Sequence, residues 1–208
     1  MTEHHHSPSA RLINAAKREI ARKGIRQLDV RALAKLAGTS TSAFHRAFKT
    51  QDRLLAEVFS SGWQVADRRI SERSLSTFRN VEDLIEAVLN ALLDAFEDDP
   101  DAMSSMIIIG VGTIGESFRN QLRSEAGYQR FRFVSTRLIE LLSERLPPDE
   151  GHEAVEALFG AVTRRLLLLT PMCRPAQSTL PFDRAPFLRV VRKMVAGLLT
   201  QVHCETIN

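Results

Sequence analysis

The sequence predicts an all-α fold: a small three-helix unit at the N-terminus followed by a larger helical body. Three observations predict it. Apolar residues recur at three- and four-residue spacing, helix caps and glycine or proline stops fall at the ends of those stretches, and alternating strand-like runs are scarce. With 208 residues, 44% hydrophobic and 25% charged, the chain has enough apolar material to bury a core. No apolar run reaches the roughly 18 residues that a membrane span needs. The polar start Met1 to Ser9 lacks the apolar centre of a signal peptide, so a cytoplasmic location without membrane contact is the expectation.

The elements follow in order. Ser7 before Pro8 starts the first helix, Leu12, Ile13, Ala16 and Ile20 give it an apolar stripe, and Gly24 stops it. Asp29 caps a short second helix with Val30, Leu33, Ala34 and Ala37, which Gly38 ends by supplying a left-handed turn. Ser40 caps the third, which carries Phe44 and Phe48. Only a few residues separate the second and third helices, the spacing of a helix-turn-helix with its two helices steeply crossed. Leu33, Ala34, Ala37 and Phe44 take the inward positions. Thr41, Ser42, His45, Arg46 and Lys49 then face outward, small hydroxyls and donors with no bulky apolar group among them.

Charge points the same way. Residues 1–60 hold eleven Lys or Arg against five Asp or Glu, while the remainder holds 17 against 20, so only the front of the chain suits a polyanion. The helix-turn-helix adds a groove-sized polar face to that balance. Double-stranded DNA is therefore the expected partner of residues 1–53, with Ser40, Thr41, Ser42, His45, Arg46, Lys49 and Gln51 as contact candidates.

The segment Arg11 to Leu55 resembles the N-terminal domain of the TetR family of regulators. The resemblance rests on Ala15 and Ala16, Gly24, Val30, Leu33 with Ala34, Ala37 with Gly38, Ser40, Phe44, Phe48, and Leu54 with Leu55. It implies a helix-turn-helix regulator whose all-helical remainder dimerises and takes a small molecule. Where that family usually has a phosphate-touching Tyr and Lys, this chain has His45 and Gln51; each can donate a hydrogen bond, but Gln51 brings no charge. Ser42 to Lys49 is also similar to a recognition helix of AraC-type activators, which usually carry two such units in tandem. No second unit follows.

Residues 54–208 read as the body. Leu55, Val58, Phe59, Val65, Ala66 and Ile70 mark one long helix leaving the head, and Leu84 to Phe96 another. A third long helix is expected through Phe118, Leu122, Phe131, Leu138 and Leu142, stopped by Pro147 and Pro148. The broad apolar girdle of His152 to Thr170 and the final helix with Phe187, Val191, Met194 and Val195, set apart by a proline-rich loop over Pro171 to Pro186, predict a homodimer interface over residues 152–170 and 184–203. Trp63, Leu89, Phe96, Met103, Met106, Ile107, Phe118 and Phe131 are the candidate lining of a pocket for a hydrophobic small-molecule effector.

Other chemistries find little support. Gly110, Gly112 and Gly115 form a GxGxxG after the strand-like run Met106 to Ile109, the outline of a dinucleotide-dependent enzyme, but that fold needs several strands to make a sheet. A glycine-rich break between helices is the preferred reading. Asp98, Asp99 and Asp101 are read as helix caps, Cys173 and Cys204 lack metal-ligand spacing, and the run His4 to His6, though able to chelate metal, is read as a polar leader or a fragment of a tag. No nucleophile elbow, phosphate loop or paired-histidine helix occurs, so neither an enzyme nor a cofactor or metal is expected.

Overall fold

The computed structural model describes residues 7–72, 77–112, 118, 126–144, 146, 148–173 and 184–205. Among them the regular structure is helical throughout, without a strand. α1 (Pro8–Lys23) begins as its sequence dictates, with the Ala10 amide donating to Ser7 Oγ at 3.3 Å and a proline in the first turn. Its buried face is Leu12, Ala15, Ala16, Ile20 and Ala21, and it stops at Gly24. A 3-10 turn (Ile25–Gln27) leads to α2 (Val30–Leu36) and α3 (Thr41–Phe48), both packed on α1.

α4 (Gln51–Glu72) is the rod that joins head to body, 22 residues and so roughly 33 Å long. Its partner in the body is a helical hairpin, α5 (Val81–Asp98) and α6 (Pro100–Val111). Asp99 makes the hairpin turn by serving both helices. Its amide donates to Ala95 O at 3.0 Å, and its carboxylate accepts from the Ala102 amide at 3.0 Å. Of the acidic cluster, Asp99 is thus a cap, as expected.

α6 packs along both α4 and α1. Gly62 of α4 allows the close approach: a Cβ there would stand 2.5 Å from Met106 Cβ and 2.8 Å from Ala102 O. Lys17 lies 3.8 Å from Asp99 at the start of α6, and Ile25 meets Gly112 at its end, so α1 and α6 run in the same direction. Gly110 and Gly112 occupy the end of α6 and its C-cap, Met106 to Ile109 is helical, and Gly115 lies outside the described residues. The strand-and-loop context of the dinucleotide reading is therefore overturned, because four apolar residues inside a buried helix mimic a buried strand.

α7 (Ala126–Ser143), α8 (Pro148–Leu167) and α9 (Arg184–Glu205) complete the body. The expected continuation of α7 back toward Leu122 lies outside the described residues. Pro148 opens α8 four residues before the expected start at His152, and Pro186 sits in the first turn of α9 instead of ending a loop; an N-terminal turn has no need of the proline N–H. α8 ends at Leu167, and residues 168–173 continue as turns. α9 is fastened to α5 by Arg184, which reaches Asp94 at 2.6 Å and Glu97 at 2.9 Å, and by Arg192 on Glu86, around the buried Phe187, Val191 and Val195. One hydrophobic cluster runs from Leu12 in the head to Val195 in α9, so head and body share a continuous core.

Candidate DNA-binding face and effector cleft

The geometry of α2 and α3 follows from four local bonds. The Asp29 carboxylate accepts from the Ala32 amide at 2.7 Å and starts α2. Two bonds then close it: Thr39 N–H to Ala34 O at 2.8 Å and Gly38 N–H to Lys35 O at 3.1 Å. This is the Schellman arrangement, and it needs a left-handed residue, supplied by Gly38 at φ 59°. Ser40 Oγ accepts from the Ala43 amide at 3.2 Å and starts α3 in its new direction.

Within α3 the split between faces is complete. Phe44 and Phe48 are buried with ring centroids 5.6 Å apart. Thr41, Ser42, His45, Arg46 and Lys49 are all exposed. The His45 imidazole stands edge-on to Phe44 at 5.3 Å, which fixes its ring plane at the surface. Ser40 Oγ and Ser42 Oγ lie 2.8 Å apart and share a hydrogen bond. Arg46 and Lys49 make no ion pair or side-chain hydrogen bond among the described residues, so both cations are available to an external acceptor. Gln51 is half-buried as the first residue of α4.

Two features of this face lie beyond the residues picked from the sequence. Thr50 caps α4, its Oγ1 accepting from the Arg53 amide at 3.2 Å, so a second helix begins beside the end of α3. The signal was a threonine ahead of the apolar stripe from Leu54. Lys49 is the one non-glycine with positive φ among the described residues (63°), in a tight turn closed by the Thr50 amide on Phe48 O at 2.6 Å. No sequence signal marks that conformation, which glycine adopts far more readily.

Among the described residues the body carries a small, partly open apolar cleft of about 20 Å³. Ile85, Val88, Leu89 and Leu92 of α5, Leu138 of α7 and Leu158, Phe159 and Val162 of α8 line it. Of the eight residues picked for a ligand pocket, Leu89 is the one that lines this cleft. Trp63, Phe96, Met103, Met106, Ile107 and Phe118 are buried in the core, and the side chain of Phe131 lies outside the described residues. On α6, Ser104 is fully buried and its Oγ makes no hydrogen bond among the described residues. It sits about 200° round the helix from Ala102 and so faces away from α4.

Comparison with known proteins adds to the geometry. Residues 12–58 match the profile of bacterial regulatory proteins of the tetR family. No curated protein sequence matches the chain. Among solved structures, the multidrug binding protein EbrR complexed with imidazole is 20% identical, with a TM-score of 0.59 over 93% of this chain and 96% of the other. The fatty acid degradation regulator FadR from Bacillus halodurans is 17% identical, with a TM-score of 0.61 over 93% and 95%. AibR, solved with isovaleryl coenzyme A and operator DNA, is 12% identical, with a TM-score of 0.63 over 93% and 98%. At these identities the solved structures show a shared fold. The tandem arrangement of the AraC-type alternative finds no support among the described residues, where α3 is followed by the single 22-residue helix α4 and then by the long helices of the body.

Proposed function

We propose that the chain, whose residues 12–58 match the tetR family of bacterial regulatory proteins, is a DNA-binding transcriptional regulator that acts as a homodimeric repressor released from its operator by a hydrophobic small molecule. The observation that carries the proposal is the exposed polar face of α3, with Arg46 and Lys49 unengaged above a buried Phe44 and Phe48. Arg46 and Lys49 donate to base edges or phosphates, while Thr41, Ser42 and His45 adjust the fit and the α3 N-terminus favours phosphate oxygens. Gln51 donates to the backbone without adding charge.

Dimerisation pairs α8 and α9 with their symmetry mates, a reading supported by the apolar Leu168, Val190 and Met194 left exposed on that side. Two α3 helices then reach successive major grooves of a palindromic operator. The effector enters between α5, α7 and α8. Since the cleft holds about 20 Å³, an effector must part these helices. Parting them favours a conformer with altered head spacing, and linkage lowers DNA affinity accordingly. EbrR with imidazole and AibR with an acyl coenzyme A and operator DNA, which share the fold, lend support.

The test is Arg46→Ala, with duplex affinity measured against circular dichroism and dimer mass. A loss of about 1–3 kcal/mol in operator binding with fold and dimer intact is expected. Unchanged affinity removes α3 from the interface.

A further inference from the structure

The end of α8 reaches back to the DNA-reading head. After Leu167 the chain winds through a tight turn, with Leu169 N–H on Leu166 O at 2.9 Å, Thr170 N–H on Leu167 O at 3.0 Å and Cys173 N–H on Thr170 O at 3.1 Å. Thr170 is fully buried, its Oγ1 donating to Leu167 O at 2.7 Å, so the turn has a fixed shape. From it the Met172 amide donates to the carbonyl of Ala21, in α1, at 3.1 Å.

Gly24 makes that bond possible in two ways. A helix leaves its last carbonyls without partners of its own. Here Gly24 N–H takes Ile20 O at 2.9 Å, and the chain then turns away at φ 77° and ψ 175°, leaving Ala21 O for a donor from elsewhere. That conformation is essentially reserved for glycine. The missing side chain also seats the sulfur: Met172 Sδ lies 2.9 Å from where a Cβ on Gly24 would stand.

α1 packs directly on α3, so whatever fixes α1 fixes the recognition helix. Resting on the regulator reading above, we propose that Met172 is a positioning residue for DNA recognition: the turn after α8 latches α1 and thereby sets the angle at which each subunit presents α3. α8 is also half of the proposed dimer face. The latch therefore refers head orientation to the dimer itself, in addition to the α1–α6 contact made through Lys17 and Ile25.

The test uses full-length wild type and Met172→Ala. Met172 is 42% exposed, so its truncation leaves the core in place. The probes are the duplex recovered by selection from a random pool, the same duplex with one base pair inserted or removed between half-sites, and a duplex with one half-site. Met172→Ala is expected to bind the native spacing about three- to tenfold more weakly and to suffer a smaller penalty than wild type when the spacing changes. Its affinity for the single half-site stays within about twofold of wild type. Met172→Pro, which removes the amide donor that Met172→Ala keeps, is expected to change the spacing profile in the same way, and profiles identical to wild type in both variants overturn the proposal. Amide hydrogen exchange gives a reading that needs no DNA: the Met172 amide is expected to be protected along with the end of α8, and exchange at the open-chain rate overturns the latch. If wild type binds no duplex, the regulator reading fails and takes this inference with it. Wild-type binding with unchanged profiles in both Met172→Ala and Met172→Pro fails the inference alone.

Discussion

Lys49 shows how a single residue at the proposed DNA-binding face trades stability for placement. A lysine at φ 63° in a tight turn holds strain of about 1–3 kcal/mol, yet its ammonium is left exposed at the end of α3. Lys49→Gly should therefore raise the free energy of unfolding by about 1 kcal/mol in a denaturant titration while weakening duplex binding. A variant that loses stability would show the turn to be unstrained. At this scale much was legible in advance. Ser7, Asp29 and Ser40 each cap the helix that follows, because a short side-chain oxygen is the natural partner of a free amide two or three residues on. Gly38 was legible as a left-handed stop for the same kind of local reason. The Lys49 conformation was not, since the packing on either side of the turn imposes it against the residue's own preference.

Between elements, the decisive contact is α4 on α6 at Gly62. A methyl group there would meet Met106 Cβ and the Ala102 carbonyl at distances real side chains do not reach, so the two helices would have to separate. Gly62→Ala is expected to cost about 1–3 kcal/mol in stability by thermal or denaturant unfolding; a neutral substitution would show that α4 and α6 do not approach so closely. Helical stripes foretold the buried faces of α4 and α5, but periodicity reports that a face is covered and not what covers it. The ligand candidates illustrate this. Met103, Met106 and Ile107, pocket candidates from the sequence, are buried on α6, while Leu158 and Val162 of the apolar girdle line the cleft. The proline expected to end a segment at Pro148 opens one instead, because proline is equally at home after one helix and in the first turn of the next.

For the whole molecule, the charge asymmetry of the sequence matches the division of labour in the fold. The basic first 60 residues carry the exposed face of α3, and among the described residues no helix is long and apolar enough to cross a membrane. Duplex binding should accordingly fall steeply with salt, log affinity dropping linearly with log salt concentration, and a flat salt response would argue against phosphate contacts by the head. The account stands or falls on whether the polar side of α3 meets base edges in a two-fold arrangement. Selection of bound sequences from a random duplex pool tests that most directly. The expected product is an inverted repeat whose half-sites lie one helical turn apart, roughly 34 Å, or a multiple of it. Enrichment of nothing, or of a motif without two-fold symmetry, would contradict it.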